Sequence, residues 1–234
     1  MKHYRLIDQN PIKTKRLLLT PMNEAELSER ISGLQDDLVR NAYVEMRRYV
    51  VANHDQALWY TDWRITLRES KKTVGYLGFH GEPEEQTVEL GIDIPEEFRD
   101  EGYAFEAVKA LSKWAFLKDS VYFVRVMTGE ESESSGSILQ ELKFYQIESP
   151  LEGHAYWERE RNASAWTVVY LSFGLCIGLA LGSSFFGSQA LGLAVGMGAG
   201  LALGAMLDSK DRAARKRENE PKKIGPLKIK RHRT

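Results

Sequence analysis

The chain has 234 residues, enough for one ordinary domain and something more, and its formal charge of −1 hides an asymmetry. Residues 208–234 carry 11 Lys/Arg against 4 Asp/Glu, whereas the remainder is acidic, with 21 against 29. An acidic body speaks against a nucleic-acid-binding domain, and the lone cysteine, Cys176, excludes a disulfide framework within the chain and points to a reducing compartment.

The opening segment MKHYRLIDQNP has no apolar run and is not expected to act as a signal peptide. Arg16–Thr20 (RLLLT) suits a buried strand. Asn23 followed by Glu26 forms a capping box that opens a helix towards Ile31, and a second helical region spans Asp36–Val51. Trp63–Arg68 and Val74–Phe79 read as strands joined by the polar loop Glu69–Thr73, and Gly81–Glu85 is a further turn. From Val88 to Ile94 apolar residues alternate with Glu89, Gly91 and Asp93, which is a strand with one apolar face, stopped by Pro95.

A helix follows over Tyr103–Lys118, with Ala104, Ala107, Val108, Leu111, Trp114 and Ala115 on one face. Val121–Thr128 is a strand, Ser135–Leu142 a short helix and Tyr156–Glu160 a last strand. The order predicts an α/β (mixed α+β) fold, a mixed central sheet flanked by helices, over residues 1–161. The histidines His3, His54, His80, His154 and His232 are scattered without metal-ligand spacing, so no metal is expected and each reads as an ordinary surface or core residue.

The strand, loop and helix between Val88 and Val108 bring free backbone N–H groups and the positive end of a helix dipole to one spot, which suits a phosphate. Within it Arg99-Asp100-Glu101-Gly102-Tyr103-Ala104 fits R/Q-x-x-G-x-G/A. Gly102 admits close backbone approach, Ala104 keeps the first helical turn near the strand, and Arg99 supplies charge beside phosphates.

Together with Thr14–Pro21, Val74–Gly81, Glu89-Leu90-Gly91, Glu106-Ala107, Trp114-Ala115-Phe116 and Ser135–Phe144, this loop resembles the GNAT N-acetyltransferase superfamily. The likeness is to its branch of ribosomal-protein N-terminal acetyltransferases and covers about residues 10–160. The resemblance implies acetyl-CoA as co-substrate and an amine acceptor, either a protein N-terminus, a lysine or a small molecule. The loop Arg99–Ala104, including Tyr103, would cradle the pyrophosphate through backbone N–H groups. Ile92 and Ile94 would pair with the pantetheine arm, and the thioester would lie where the fourth and fifth strands of the family fold splay apart. Glu89 is the candidate base, or else an ordinary strand glutamate paired with a neighbour such as Arg125. Ser135 and Tyr145 are candidate acids for the leaving thiolate.

The chain departs from the family pattern in three places. Asp100 and Glu101 stand where Gly and a basic residue are usual. Ser132 and Ser135 stand where Asn and Ser are common, and Lys143-Phe144 replaces Gly-Phe, so that Lys143 needs a positive φ or the turn differs. Two function classes therefore stay open: an acetyltransferase, and a binding or scaffold protein that keeps the fold without the catalysis.

Residues 163–207 contain no charged residue. As one helix they would span about 67 Å, against a bilayer core of roughly 30 Å. Two transmembrane helices, Ala165–Leu181 and Gln189–Leu207, with the turn at Gly182–Ser184 and Gly187-Ser188, fit better. Gly174, Gly178 and Gly182, then Gly192, Gly196, Gly200 and Gly204, recur every four residues, a glycine zipper that pairs helices within one hairpin or between chains of a homo-oligomer. Trp157, Trp166 and Tyr170 would lie at one lipid interface, and the basic tail 208–234, expected to lack structure, would sit in the cytoplasm with the N-terminal domain.

Overall fold

The computed structural model describes residues 11–129, 133–149, 151–162, 165–185, 187–216 and 221–223. The chain divides into two units, residues 1–160 with 221–234, and residues 161–220.

The first unit is built on an eight-stranded sheet. Its strands are β1 (Ile12–Lys13), β2 (Leu17–Pro21), β3 (Asp62–Leu67), β4 (Thr73–Phe79), β5 (Thr87–Asp93), β6 (Phe123–Gly129), β7 (Tyr145–Ile147) and β8 (His154–Glu160). They lie in the order β1-β2-β3-β4-β5-β6-β8-β7, antiparallel throughout except for the parallel pair β5–β6. That parallel pair needs a crossover, and α3 (Tyr103–Ala115) supplies it. The expected mixed sheet is thus present, with β1 and β7 added at its edges.

Period-two alternation sorts the two faces. Val88 and Leu90 of β5, Val124 and Val126 of β6, and Trp157 of β8 share one apolar core with Val108 and Leu111 of α3 and Leu139 of α4 (Glu133–Glu141). Trp114 anchors α3 there, with ring centroids 5.0 Å from Trp59 and 5.2 Å from Trp63. Trp157, expected at a lipid interface, is instead 3% exposed, because alternation in β8 turns it inward, where its indole N–H donates to Thr128 Oγ1 at 3.3 Å.

The opposite face is covered over β2–β4 by α1 (Glu24–Gly33) and α2 (Asp37–Ala52), whose Leu27, Tyr43 and Val50 form a second cluster with Tyr76 of β4. The capping box forms as expected: Asn23 Oδ1 accepts from the Glu26 N–H at 3.0 Å, and Glu26 accepts from the Asn23 N–H at 2.9 Å. Beyond the hairpin unit the chain returns to this sheet. Lys223 bridges Ile147 of β7, and the Glu148 N–H donates to the Lys222 carbonyl at 2.9 Å.

The second unit is a pair of antiparallel helices, α5 (Trp166–Phe185) and α6 (Gln189–Ala214). Their glycines face each other. A Cβ on Gly174 would lie 2.1 Å from the Gly196 carbonyl oxygen, and one on Gly178 2.4 Å from that of Gly192. The backbones therefore touch at a distance that no other residue permits. The turn falls at Gly187 (φ +61°), after which Ser188 caps α6 through the Leu191 N–H at 3.4 Å. Asp208 caps the start of α5 by accepting from the Trp166 and Thr167 N–H groups at 2.9 and 3.1 Å. Among the described residues, α6 alone is long and apolar enough by length and composition to cross a membrane, and Trp166–Gly182 is a shorter apolar stretch. α6 runs past Leu207 into the basic segment as far as Ala214.

Candidate active site

The central feature is a gap in the sheet. β5 and β6 are paired from Thr87↔Phe123 to Leu90↔Val126 and no further. Beyond that point Gly91 and Ile92 stay paired with β4, and Met127–Gly129 stay paired with β8. Each strand keeps its outer neighbour and loses the inner one, so facing backbone edges are left open.

On the α3 side a cavity of about 270 Å³ lies against the gap, lined by Ile92, Ala104, Val126, Met127, Thr128 and Ser135. A second, of about 450 Å³, shares Ile92, Ala104, Ser135 and Ile138 with it and extends along Ile94, Glu96, Arg99 and Asp100. It ends at the start of α3. Gly102 sits there in the left-handed region, at φ +71° and ψ 17°, as a cap without a side-chain hydrogen bond. Among the described residues no side chain caps the first N–H groups of α3, an arrangement that suits an anion. Arg99 and Asp100 face the cavity with opposite charges, whereas Glu101 is exposed and outside its lining.

This corner is locked by a residue that sequence reasoning passed over. Arg16 donates to the Glu101 carbonyl at 2.8 Å and the Gly102 carbonyl at 3.2 Å, while its Nε meets Glu106 Oε2 at 2.8 Å. Its guanidinium also lies over the Tyr103 ring, 4.8 Å from the centroid, so that Tyr103 turns its side chain towards β2 rather than into the gap. Burial raises the Glu106 carboxyl, but hydrogen bonds from Arg16 and Thr14 outweigh it and hold the group below the usual range. The pair is separated by 90 positions, so no local spacing announces it.

On the opposite face lies a cavity of about 600 Å³, between α2 and the strands, lined by Glu45, Met46, Tyr49, Tyr60, His80, Glu82, Glu84, Glu89 and Arg125. Glu89 projects here, as alternation requires. It is paired with Arg125 at 3.5 Å and with His80 Nδ1 at 3.9 Å, so that the strand-partner role and the cavity-lining role coincide. Arg125 reaches on to the fully buried Glu158 at 3.2 Å, and Glu158 accepts from the Tyr145 hydroxyl at 2.8 Å. The registers Glu89↔Arg125, Arg125↔Glu158 and Tyr145↔Glu158 produce this row of polar groups across four strands. His80 first, and Arg125 after it, hold the Glu89 carboxyl below the usual range, against burial. Glu89 in turn raises the His80 imidazole above its ordinary value, against burial.

A further buried pair stands beneath α2. The Tyr43 hydroxyl donates to Asp62 Oδ2, and burial pushes the Asp62 carboxyl up, against that bond and the charge of Arg30.

Of the sequence-predicted residues, Ile92, Ile94, Arg99, Ala104 and Ser135 share the α3-side cavities, with Gly102 at their end. Glu89 faces the other cavity. Tyr145 is on that same face, its hydroxyl committed to Glu158, and it does not share a site with Ser135. Ser132 lies outside the described residues. His80, read as an ordinary residue, lines the cavity beside Glu89.

Residues 16–145 match the family model for the acetyltransferase (GNAT) domain. An uncharacterized N-acetyltransferase of Bacillus subtilis, YjdG, is 26% identical over 98 residues; that stretch is 42% of this chain and spans 58% of the relative's length. Among solved structures, the ribosomal L7/L12 alpha-N-protein acetyltransferase RimL in complex with coenzyme A superposes with a TM-score of 0.52 at 15% identity, covering 66% of this chain and 99% of that one. A Bordetella pertussis protein assigned to the same family gives 0.51 at 17% identity, with 64% and 98% covered. At these identities the structural likeness concerns the fold.

Proposed function

The chain belongs to the GNAT acetyltransferase family, and on that premise we propose that it moves an acetyl group from acetyl-CoA to an amine, while its apolar hairpin holds it at a membrane. One observation carries the catalytic reading. The β5–β6 gap has an anion-suited helix start at the end of its α3-side cavity, and a carboxylate-rich cavity on its other face. A thioester laid through the gap would meet an amine arriving from the far side.

The α3 N–H groups around Gly102, Tyr103 and Ala104 would hold the pyrophosphate with Arg99, and the open β5 edge at Ile92, with Ile94 just beyond the strand, would take the pantetheine amides. Asp100 weakens the phosphate end without closing it. Ser135 stands where a leaving thiolate would emerge and is the candidate proton donor. On the acceptor side, Glu45, Glu82, Glu84 and Glu89 against Arg125 favour an acceptor that arrives as an ammonium, which must lose a proton before it attacks. Glu89 and its partners form the proton-accepting group, and Tyr145, through Glu158 and Arg125, helps fix its position.

The membrane reading rests on the hairpin surface. Val168, Phe173, Ile177, Leu191 and Val195 are between 50% and 63% exposed on helices whose inner faces are glycine. Such a surface is stable in lipid and costly in water. Two spans would put the sheet domain on the same side as the basic tail, which the positive-inside rule places in the cytoplasm.

Asp100 in the phosphate-side wall favours a second reading, a membrane-held binding domain without turnover. Calorimetry of the detergent-extracted full chain with acetyl-CoA separates the possibilities. Binding that is lost in Gly102→Trp supports the site, and binding without acetylation of any amine supports the second reading. Absence of binding at millimolar acetyl-CoA removes the enzyme reading. Release of the chain from membranes by carbonate would remove the tether.

A further inference from the structure

His80 occupies a place that the strand pattern alone does not mark. It follows β4, and its backbone N–H donates to the Glu89 carbonyl at 3.0 Å, which fixes its Cα opposite Glu89. Nδ1 faces the Glu89 carboxylate, and Nε2 lies over Gly91, 2.8 Å from where a Cβ would stand. Only glycine lets the ring rest on the backbone there. Gly91 is also the first residue of β5 released from β6, so Nε2 overhangs the mouth of the gap. Glu89 lies one residue back, inside the paired region, with Arg125 on its other oxygen.

A carboxylate facing Nδ1 favours the tautomer with its proton on that nitrogen and leaves the Nε2 lone pair directed at the gap. A carboxylate tied to a guanidinium is a weak base, and an imidazole backed by a carboxylate is a better one near neutral pH. We propose that the acceptor ammonium gives its proton to His80 Nε2, with Glu89 as the positioning carboxylate behind the ring. This assignment rests on the acetyl-transfer reading above. The neutral nitrogen then adds to the acetyl carbon, a C–N bond forms and the C–S bond breaks. The sulfur leaves as thiolate and takes a proton from Ser135, which recovers the second proton shed by that nitrogen, while His80 returns its own proton to water.

The charged groups around His80 are Glu89 on β5, Asp62 on β3, Arg125 on β6, Glu45 on α2, and Glu82 and Glu84 in the following turn; the titratable hydroxyls are Tyr49 and Tyr60. The carboxylates outnumber the single guanidinium, and Glu89 is the nearest. Activity should therefore rise with pH through a value above that of an ordinary histidine, as the ring loses its proton.

The test is kcat against pH for the full chain in detergent, with saturating acetyl-CoA and 1,3-diaminopropane as acceptor. His80→Gln should lower kcat by about 100-fold or more and erase the rising limb. Glu89→Gln should move the limb to lower pH while leaving the KM for acetyl-CoA unchanged. If the limb survives in His80→Gln and vanishes in Glu89→Gln, Glu89 is the base and the assignment falls. An unmoved limb in Glu89→Gln overturns the positioning role. Absence of turnover by the unaltered chain counts instead against the acetyl-transfer reading, and with it this one.

Discussion

In the sheet domain the large apolar side chains lie inside: Leu17, Trp63, Leu77 and Leu111 are at most 1% exposed. In the helical hairpin the order is inverted, with Gly174, Gly178, Gly192 and Gly196 between the helices and Phe173, Ile177 and Leu191 turned outward. The first arrangement is what water drives, since each buried Å² of apolar surface contributes about 25 cal/mol. The second buries hardly any apolar side chain between its helices. It gains close backbone packing and the Asp208 cap instead. Glycine thus has two meanings in one chain: a device for local backbone shape at Gly102, and a continuous packing surface in the hairpin.

The largest effect should come from breaking that surface. Gly196→Leu drives a side chain into the Gly174 carbonyl and the Gly178 backbone, neither of which is a side chain that can swing aside. The cost should exceed the roughly 1–3 kcal/mol of ordinary overpacking, because the helices must part. Limited proteolysis between α5 and α6 should accelerate, while acetyl-CoA binding by the sheet domain persists. Loss of that binding would mean that the two units do not fold independently.

Trp114→Ala makes the complementary cut. It removes the ring that meets Trp59, Trp63 and Phe79 and leaves a cavity under α3. A loss of about 3–5 kcal/mol is expected. The denaturant midpoint of the sheet domain should fall, with helical signal from the hairpin retained. An unchanged midpoint would deny that α3 is held by this aromatic cluster.

Local chemistry made much of this legible. Asn23 and Glu26 announce their cap, and the alternation around Leu90 gives β5 its two faces. The seven glycines at four-residue spacing predict a helical contact face, and in the structure that face lies between α5 and α6. What escaped depends on partners distant in sequence. β7 is three residues long and exists because β8 pairs with it. Trp157 read as an interfacial aromatic because charges end soon after it, whereas its burial follows from β8 pairing with β6. The opening between β5 and β6 is a loss of pairing that no residue type encodes by itself, and only the family resemblance implied it. His80 gained significance only once the register Phe79↔Leu90 set it beside Glu89 and over Gly91.

The smallest effect concerns Lys143, a side chain at a backbone position made for glycine. Its φ is +65°, at the end of α4. The Phe144 N–H donates to the Leu139 carbonyl at 2.9 Å and the Lys143 N–H to that of Gln140 at 2.9 Å, a Schellman closure, with Phe144 and Leu139 in the same core cluster. The closure forms despite the lysine because its hydrogen bonds and the Phe144 contact outweigh a left-handed cost of roughly 1–2 kcal/mol. Lys143→Gly removes that cost but adds about 0.5–1 kcal/mol of unfolded-state entropy. A net gain of a few tenths to about 1 kcal/mol is expected, seen as a slightly higher denaturant midpoint. Lys143→Val should go the other way and by more, since a β-branched residue tolerates this region poorly. A lower midpoint in Lys143→Gly would show that the lysine side chain itself stabilises the turn. Glycine would then be dispensable at a helix end of the sheet domain while remaining indispensable between the hairpin helices.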